Sequence, residues 1–384
     1  MRTPKDWGQP CPNLECVHYN RMKQGNVSAI ATYLTQSGKR RIFRCRTCAT
    51  QFSETRETVF FDLRTAEDQV MMALKMLLVR VDLTGICFVL GVTEETVLAW
   101  LMRAAHQAEV INRHLLRDLP VTQVQLDEMW NFIARKHACE TDATGESLPA
   151  SEDGRQWIWI SFAPEFRLMI AAIVGPRTLD TAKEVVATTK ARVAGVPAFF
   201  SDGFTCYLAA LIAAFHVVTT FVRTGKRGRP RQPRCEPHPD LIYGQLVKQK
   251  QRGKLLTLST RVVLGAERLT HLGLTISTAL VERVNLTLRQ ALAPLTRKTA
   301  SFCKDRERLR QRVVFFQAFY NVARPHMSLR QPLPLHERTR HGAIRPRWRE
   351  RTPALAAGVA DHVWTFRELL TAKFEPLDSQ SISG

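Results

Sequence analysis

The sequence predicts an α+β, multidomain protein in which a mixed sheet flanked by helices follows two small domains. Three observations predict this fold class. Four cysteines lie in two close pairs within residues 1–62, helical periodicity follows in residues 63–118, and alternating apolar residues begin at Val121. A cysteine-held domain, a helical domain and a larger sheet domain are therefore expected in that order.

The composition indicates a folded protein with a polyanionic partner. The chain has 384 residues, 45% of them hydrophobic, which allows two or three domains with ordinary cores. Its 55 lysines and arginines exceed its 35 aspartates and glutamates, which gives a formal net charge of +20. This charge favours nucleic acid, although an unrelated basic enzyme or a ribosome-associated protein would share it.

The apolar pattern predicts neither a membrane span nor secretion. The first ten residues have no apolar signal core, and the most apolar stretch, Leu208 to Val222, is shorter than the roughly 20 residues that a spanning helix needs. Nine cysteines are an odd number, so metal binding is favoured over a disulfide framework. We expect a cytoplasmic, nucleoid-associated protein with no membrane partner.

Residues 1–62 have the cysteine spacing of a zinc ribbon. Cys11 and Cys16 form one pair and Cys45 and Cys48 the other, and four thiolates suit one structural Zn²⁺ ion. His18 is an alternative to Cys16 as a ligand, and free or buried thiols are the other interpretation. The segment between the pairs reads as a β-hairpin, and its basic residues are candidates for DNA contact: Lys39, Arg40 and Arg41.

Residues 63–118 are predicted to form a helix-turn-helix domain. Thr65 to Asp68 resembles an N-terminal cap for a first amphipathic helix. Leu83 to Leu90 and Glu94 to Ala104 then form two helices around a turn, with Thr93 as the second cap. The candidate DNA-facing residues are Thr96, Trp100 and Arg103, although Trp100 suits the core equally well. Helical hairpins of this kind also occur in all-α proteins that do not bind DNA.

Residues 119–332 change to an extended pattern. Three strands separated by turns, a helix, a strand and another helix follow in order, which is the order of a ribonuclease-H-like core. The acidic, polar segment between the first two strands reads as a solvated hairpin tip without chemistry.

Two aspartates are expected to meet in this core. Asp127 lies in the first strand, and Asp202 follows the fourth strand, which should be its neighbour. Adjacent carboxylates repel each other unless a cation compensates them, although each alone could be a turn residue. Glu282 is the candidate third acid, with Arg289 two turns further along the same helix face as a phosphate contact. Glu128 should point to the opposite strand face.

Three carboxylates of this kind predict two Mg²⁺ (or Mn²⁺) ions. Two such ions activate a water or a DNA 3′-hydroxyl and stabilise the leaving oxygen at phosphorus. An ordinary surface salt bridge is the alternative for Glu282.

The remaining segments are basic or apolar. A basic insertion is expected at about residues 223–265, where Arg227, Arg229 and Arg231 resemble an AT-hook, although a solvated basic linker is the simpler interpretation. Asn321, Arg324 and His326 are candidates for packing or phosphate contact, His326 chiefly for packing. Residues 333–384 are expected to add a docked helix and a disordered tail.

The segments QLDEMW, FSDGF and VERVNLTLRQ with TRKTASF resemble bacterial insertion-sequence transposases of the IS-one (IS1) family over nearly the whole chain. The resemblance implies a zinc finger, a helix-turn-helix and a DDE catalytic domain, with Asp127, Asp202 and Glu282 as the acidic triad and Arg289 as the basic residue that follows. Double-stranded DNA, as terminal inverted repeats and target, and a homodimer or larger assembly on it are the implied partners. An inactive, regulatory DNA-binding relative and a nuclease or resolvase of the same fold are the alternatives.

Overall fold

A computed structural model describes residues 7–133, 154–221, 232–251, 254–333 and 347–376 of the chain. The predicted hairpin tip within residues 134–153, the arginines Arg227, Arg229 and Arg231, and the tail from residue 377 lie outside these ranges.

A small antiparallel sheet forms the N-terminal part of the molecule. Its strands are β1 (Val27–Thr35), β2 (Gly38–Cys45) and β3 (Gln51–Ser53), so the predicted hairpin is confirmed. Val27, Phe43 and Phe52 are buried against one another. This apolar cluster is small, as expected of a domain that relies on other crosslinks for stability.

Three helices follow: α1 (Glu67–Leu77), α2 (Leu83–Leu90) and α3 (Glu94–Leu115). The predicted turn is confirmed, because Gly91 takes a left-handed conformation with φ of 65° and Thr93 caps α3 through the Thr96 backbone N–H. Helix α3 extends eleven residues beyond the predicted end, because buried residues such as Ala108 and Ile111 continue its apolar face.

The predicted cap of the first helix is wrong. Ala66 precedes α1 without a side-chain cap, and the Glu67 backbone N–H donates instead to Ser37 Oγ at 2.8 Å. A residue of the β-hairpin therefore takes the place of a local cap, a contact that no local sequence pattern could indicate.

The rest of the described chain supplies the elements of the main sheet and its surroundings. In order they are β4 (Gln123–Ile133), β5 (Gly154–Ala163), β6 (Leu168–Gly175), α4 (Leu179–Lys190), β7 (Ala198–Asp202), α5 (Cys206–Ala214), β8 (His216–Thr219), β9 (Arg234–Pro237), β10 (Tyr243–Gln251), β11 (Lys254–Leu264), α6 (Ala266–His271), α7 (Ala279–Ala291), α8 (Arg306–Ala318), β12 (Gln331–Pro332), β13 (Trp348–Arg349), α9 (Pro353–Ala356) and α10 (Phe366–Thr371).

Six of these strands form one mixed sheet in the order β11-β10-β7-β4-β5-β6. Strand β7 runs parallel to both β4 and β10, whereas the other neighbours are antiparallel. The predicted antiparallel group of three strands and the predicted contact between the first and fourth strands are both confirmed. The carboxyl ends of β4, β6 and β7 consequently lie at one edge of the sheet.

The hairpin that was expected within a basic insertion belongs to this sheet. Tyr243 to Leu246 of β10 pair with Phe199 to Asp202 of β7. Tyr243 is fully buried, whereas the middle of β11 is exposed on both faces. The exposed half of the hairpin is polar and basic. For this reason the sequence pattern predicted a surface insertion and did not indicate the buried base of the hairpin.

Helices cover both faces of the sheet. Helices α4 and α5 pack on the face that carries Leu126, Trp159 and Phe199. Helices α7 and α8 pack on the face that carries Met129 and Ile158, and α3 packs against α8 in the same core. The C-terminal helices α9 and α10 contribute Ala354, Leu369 and Leu370 to the same core, and α10 contacts α3.

Within the described ranges, no single helix is both long and apolar enough to cross a membrane. Helices α2 and α3 would pass on length and composition if taken together, but they are bent by 109°.

Candidate functional site

Asp127 and Asp202 lie side by side on the two central strands of the main sheet, at the carboxyl end of β7. The parallel register aligns Gln125 of β4 with Phe200 of β7, and each aspartate follows two residues later on its strand. Carboxylate oxygens of Asp127, Glu128 and Asp202 all lie within 4.8 Å of one another, a group that could hold a metal ion. The two aspartates line an open cleft of about 600 Å³.

Glu282 lines the same cleft from the first turn of α7 but stands outside the tight group of three acids. Its carboxylate accepts a hydrogen bond from Thr278 Oγ1 at 2.8 Å and forms an ion pair with Lys248 of β10. The side chain is exposed, so its carboxylate has room to move between Lys248 and a metal ion in the cleft. All three acids predicted from the sequence therefore face one cleft.

Two amides connect α7 to the strand that carries Asp127. Gln125 Oε1 accepts from the backbone N–H of Val281, directly before Glu282, at 2.9 Å. Asn285 Nδ2 donates to Asp127 Oδ2 at 2.6 Å. Both amides are buried, so their hydrogen bonds fix the distance between the acid of β4 and the acid of α7. These positioning residues were not predicted.

The cleft is an unfavourable place for an isolated negative charge. Burial raises the pKa of Asp127 to about 7, and the neighbouring charges of Glu128, Asp202 and Glu282 act in the same direction. Burial also raises the pKa of Glu128. A divalent cation would offset this repulsion, and carboxylate oxygens are the donors that Mg²⁺ and Mn²⁺ prefer.

Glu128 occupies the opposite strand face, as expected, but it is not remote from the site. Its carboxylate accepts from Tyr207 of α5 at 2.9 Å and from Arg177 Nε at 2.9 Å. These partners draw the carboxylate to the sheet edge, where it joins the group formed by Asp127 and Asp202. Strand alternation predicted the direction of the side chain but not the reach of its carboxylate.

Arg289 does not face the cleft, contrary to the prediction. Its half-buried guanidinium donates to the backbone carbonyls of Trp130 at 2.9 Å and Leu295 at 3.1 Å. Burial lowers its pKa, and the charge of Arg297 adds to this effect. Within the described ranges, the basic residues that line the cleft are Arg177 and Lys248. Arg177 lies two residues after Gly175, the last residue of β6, and β6 runs parallel to the strands of the two aspartates; this position in the strand order is the signal that could have identified it.

The four predicted cysteines form a second candidate metal centre. Sulfur atoms of Cys11, Cys16, Cys45 and Cys48 lie within 4.8 Å of one another, with 3.5 Å between Cys11 and Cys48. The Thr50 hydroxyl lies 3.3 Å from the Cys48 sulfur and lowers the pKa of that thiol to about 6. The group contains Cys16 rather than its alternative, His18.

Asn26 supports the cysteine group from outside, since its Nδ2 donates to the Cys45 sulfur at 3.2 Å. A donor of this kind favours the thiolate form that binds metal. The four sulfurs could therefore hold one tetrahedral ion, as the spacing predicted.

The predicted DNA-facing residues have different environments. Trp100 is only 2% exposed and belongs to the core, because α3 turns this face toward α1 and α8. Arg103 donates to the Phe61 carbonyl, and Arg40 pairs with Glu54 and Glu67, so both cations have structural partners. Arg41 is 52% exposed, although its Nη1 lies 3.7 Å from Glu54 Oε2, while Lys39 is exposed and Thr96 is half-buried.

The segment around His326 is mainly structural. Asn321 is buried and exchanges two hydrogen bonds with the Met169 backbone, at 2.9 and 3.1 Å. His326 caps a short 3-10 turn through the Ser328 backbone N–H. Burial lowers the pKa of His326, and three nearby arginines add to this effect.

No family model and no curated protein matches the sequence. Among solved structures, the chain is similar to the Mos1 strand transfer complex, with 14% identity and a TM-score of 0.16 over 37% of this chain and 52% of that chain. The Mos1 transposase paired-end complex with the left transposon end gives 14% and 0.16 over 38% and 56%. A pre-cleavage Mos1 transpososome gives 14% and 0.15 over 38% and 57%.

The chain thus spans little more than half the length of each of these transposase chains.

Proposed function

We propose that this chain is a DNA transposase, a metal-dependent polynucleotidyl transferase that cuts and joins DNA strands. The observation that carries the proposal is the position of Asp127 and Asp202 on adjacent parallel strands, in one cleft with Glu282. The mixed sheet with helices on both faces supports a ribonuclease-H-like interpretation of the core. The sequence motifs around the three acids support the narrower IS-one family resemblance.

In this proposal Asp127, Asp202 and Glu282 hold two Mg²⁺ or Mn²⁺ ions. Bound there, the ions would supply activation of a water or a 3′-hydroxyl and stabilisation of the leaving oxygen. Asn285 orients Asp127 and favours its ionised form by donating a hydrogen bond to it. Gln125 fixes the first turn of α7 and hence the approach of Glu282 to the cleft.

DNA is the proposed partner, with terminal inverted repeats and a target duplex as its two forms. The net charge of +20 and the exposed Lys39 and Arg41 favour phosphate contacts. We place a zinc ribbon in residues 1–62, a helix-turn-helix in 63–118, the catalytic domain in 119–332 and an extension in 333–384. Joining two ends implies at least a dimer on DNA.

The second candidate is a DNA-binding relative that no longer catalyses joining. The ion pair between Lys248 and Glu282 favours this alternative, because the ammonium group binds the carboxylate that a metal ion would need as a ligand. The two candidates differ in whether metal displaces Lys248.

Strand transfer distinguishes them. The substrate is a labelled duplex that ends at the outer edge of an inverted repeat flanking the gene, incubated with a plasmid target and Mg²⁺ or Mn²⁺. We expect Asp127→Asn, Asp202→Asn and Glu282→Gln each to reduce joining at least about hundredfold, because each removes a proposed metal ligand. Glu267→Gln, at an exposed acid of α6, is the matched control.

A variant that joins DNA as well as the native protein would remove its residue from the catalytic set. A native protein that binds the duplex but joins nothing with either metal would support the inactive relative.

A further inference from the structure

Arg177 is held between two fixed elements at the edge of the cleft. It lies in the connection between β6, which ends at Gly175, and α4, which begins at Leu179. The next residue, Thr178, caps α4 by accepting from the Thr181 backbone N–H. The backbone of Arg177 is therefore anchored on both sides, which limits the conformations open to its side chain.

The guanidinium of Arg177 is also oriented by its neighbours. Its Nε and Nη2 both donate to Glu128 Oε1, the former at 2.9 Å. Its Cζ lies 4.1 Å from the ring centre of Phe204 and 4.8 Å from that of Trp157. Contacts of these two kinds fix the plane of the group, so little freedom remains to be lost on binding a ligand.

The remaining edge of the guanidinium is available to the cleft. The side chain is 39% exposed, and in the described part of the chain no hydrogen bond engages Nη1. The group lines the cleft beside Asp127 and Asp202. An arginine fork with free N–H groups matches the oxygens of a phosphate.

The other basic candidates are less suited to this role. The guanidinium of Arg289 donates to two backbone carbonyls and does not line the cleft. Lys248 lines the cleft but is paired with Glu282. Arg177 alone among these three combines a fixed orientation with an unengaged donor edge.

We infer that Arg177 binds a backbone phosphate of the DNA strand that enters the cleft beside Asp127 and Asp202. This inference rests on the proposed function, since it requires DNA in the cleft. The competing role is purely internal, because Glu128 is buried with 2% of its side chain exposed and Arg177 neutralises it.

A double variant separates the two roles. Arg177→Ala alone leaves a buried carboxylate unpaired and can destabilise the fold. Arg177→Ala combined with Glu128→Gln removes both charges together, and Glu128→Gln alone is measured beside it because Glu128 belongs to the candidate metal group. A purely internal role predicts equal binding by these two variants, whereas a phosphate contact predicts weaker binding by the double variant. Arg308→Ala is the matched control, because Arg308 is 43% exposed and also pairs with a carboxylate, that of Asp305.

The experiment measures binding of the labelled inverted-repeat duplex in Ca²⁺, which separates binding from joining. A second set of duplexes carries an uncharged methylphosphonate at one phosphate after another around the junction. We expect the double variant to bind about tenfold to hundredfold more weakly than Glu128→Gln alone, the effect of losing a hydrogen bond to a charged group. We also expect it to be insensitive to the methylphosphonate that weakens the native protein, since both changes remove one contact.

Binding by the double variant equal to that of Glu128→Gln alone, or unchanged sensitivity to every methylphosphonate, would overturn the inference. A native protein that shows the expected sensitivity to one methylphosphonate but joins no DNA would count against the proposed catalysis alone. A native protein with no affinity for the duplex would overturn both.

Discussion

The carboxyl group of Asp127 ties the stability of the protein to pH and metal. Because its pKa rises from 3.8 to about 7 on folding, the folded state keeps the proton over a range where the unfolded chain has lost it. The stability that this group contributes is present below about pH 4 and is lost as the pH rises to about 7. The cause is burial, reinforced by three neighbouring acids.

We predict that Asp127→Asn removes this pH dependence. In a chelator, the free energy of unfolding of the native protein should fall relative to that of the variant by about 2 to 4 kcal/mol between pH 4 and pH 7.5, measured by urea unfolding. Mg²⁺ or Mn²⁺ at neutral pH should restore the stability of the native protein only. Parallel pH profiles for the two proteins, with Glu267→Gln as a control, would contradict the assigned environment.

At the residue scale the sequence predicted that Asp127 and Asp202 are neighbours, and their carboxylates lie in one group, whereas Glu282 stands outside that group and Arg289 does not line the cleft. Strand order makes β4 and β7 adjacent, and the parallel register, with Gln125 opposite Phe200, brings Asp127 beside Asp202. Helical periodicity cannot tell which neighbour a long side chain will reach, so Arg289 was assigned to the cleft although it binds carbonyls beyond it. Arg177 was missed because its partner, Glu128, is 49 residues distant in the sequence.

At the scale of elements, the cysteine group predicts that the N-terminal sheet depends on metal. Full-length protein should contain one zinc per chain, and Cys45→Ser should release it, because Cys45 is a buried member of the group at the end of β2. The variant should expose residues 7–62 to proteolysis. Cys235→Ser, at an exposed cysteine of β9, should keep both the zinc and the resistance.

Zinc content distinguishes the two ligand sets. Retention of one zinc by Cys16→Ser together with its loss in His18→Ala would favour the histidine alternative. A native protein without zinc would refute the ribbon.

Element order was more predictable than element context. The alternation in β4 to β6 and the Gly91 turn gave clear local signals, and both appear where expected. The base of the β10–β11 hairpin has no clear local signal. Only Tyr243 to Gln245 of β10 are buried, and the described residues that follow are partly or fully exposed. Sheet membership depends there on Phe199 and Phe200 of a strand some forty residues earlier, which no local pattern encodes.

At the scale of the whole molecule, residues 362–376 act as a strap across the N-terminal elements. The Val59 backbone N–H donates to the Leu370 carbonyl at 3.1 Å, and Met22 donates to Glu375 Oε1 at 2.9 Å. Gln107 of α3 donates to the Ala372 carbonyl at 2.6 Å. The strap therefore links both sides of the N-terminal sheet to the helix-turn-helix.

Apolar contacts reinforce these hydrogen bonds. Leu369 and Leu370 are buried, and Phe374 stacks on His114 with ring centres 4.5 Å apart. Burying each leucine contributes about 1.5–3 kcal/mol, so the strap matters to stability as well as to arrangement. The C-terminal extension is thus part of the architecture that orients the candidate DNA-binding elements.

We predict that deleting residues 362–384 lowers the free energy of unfolding by at least about 3 kcal/mol, because two buried leucines lose their contacts. Hydrogen exchange should accelerate in residues 7–62 and along the strap-facing side of α3, while β4 and β7 keep their protection. Deleting residues 377–384 alone is the control and should change neither property. Equal stability of the two deletions would mean that the ribbon and α3 hold their arrangement without the strap, and DNA binding by the N-terminal elements would then be independent of the C-terminus.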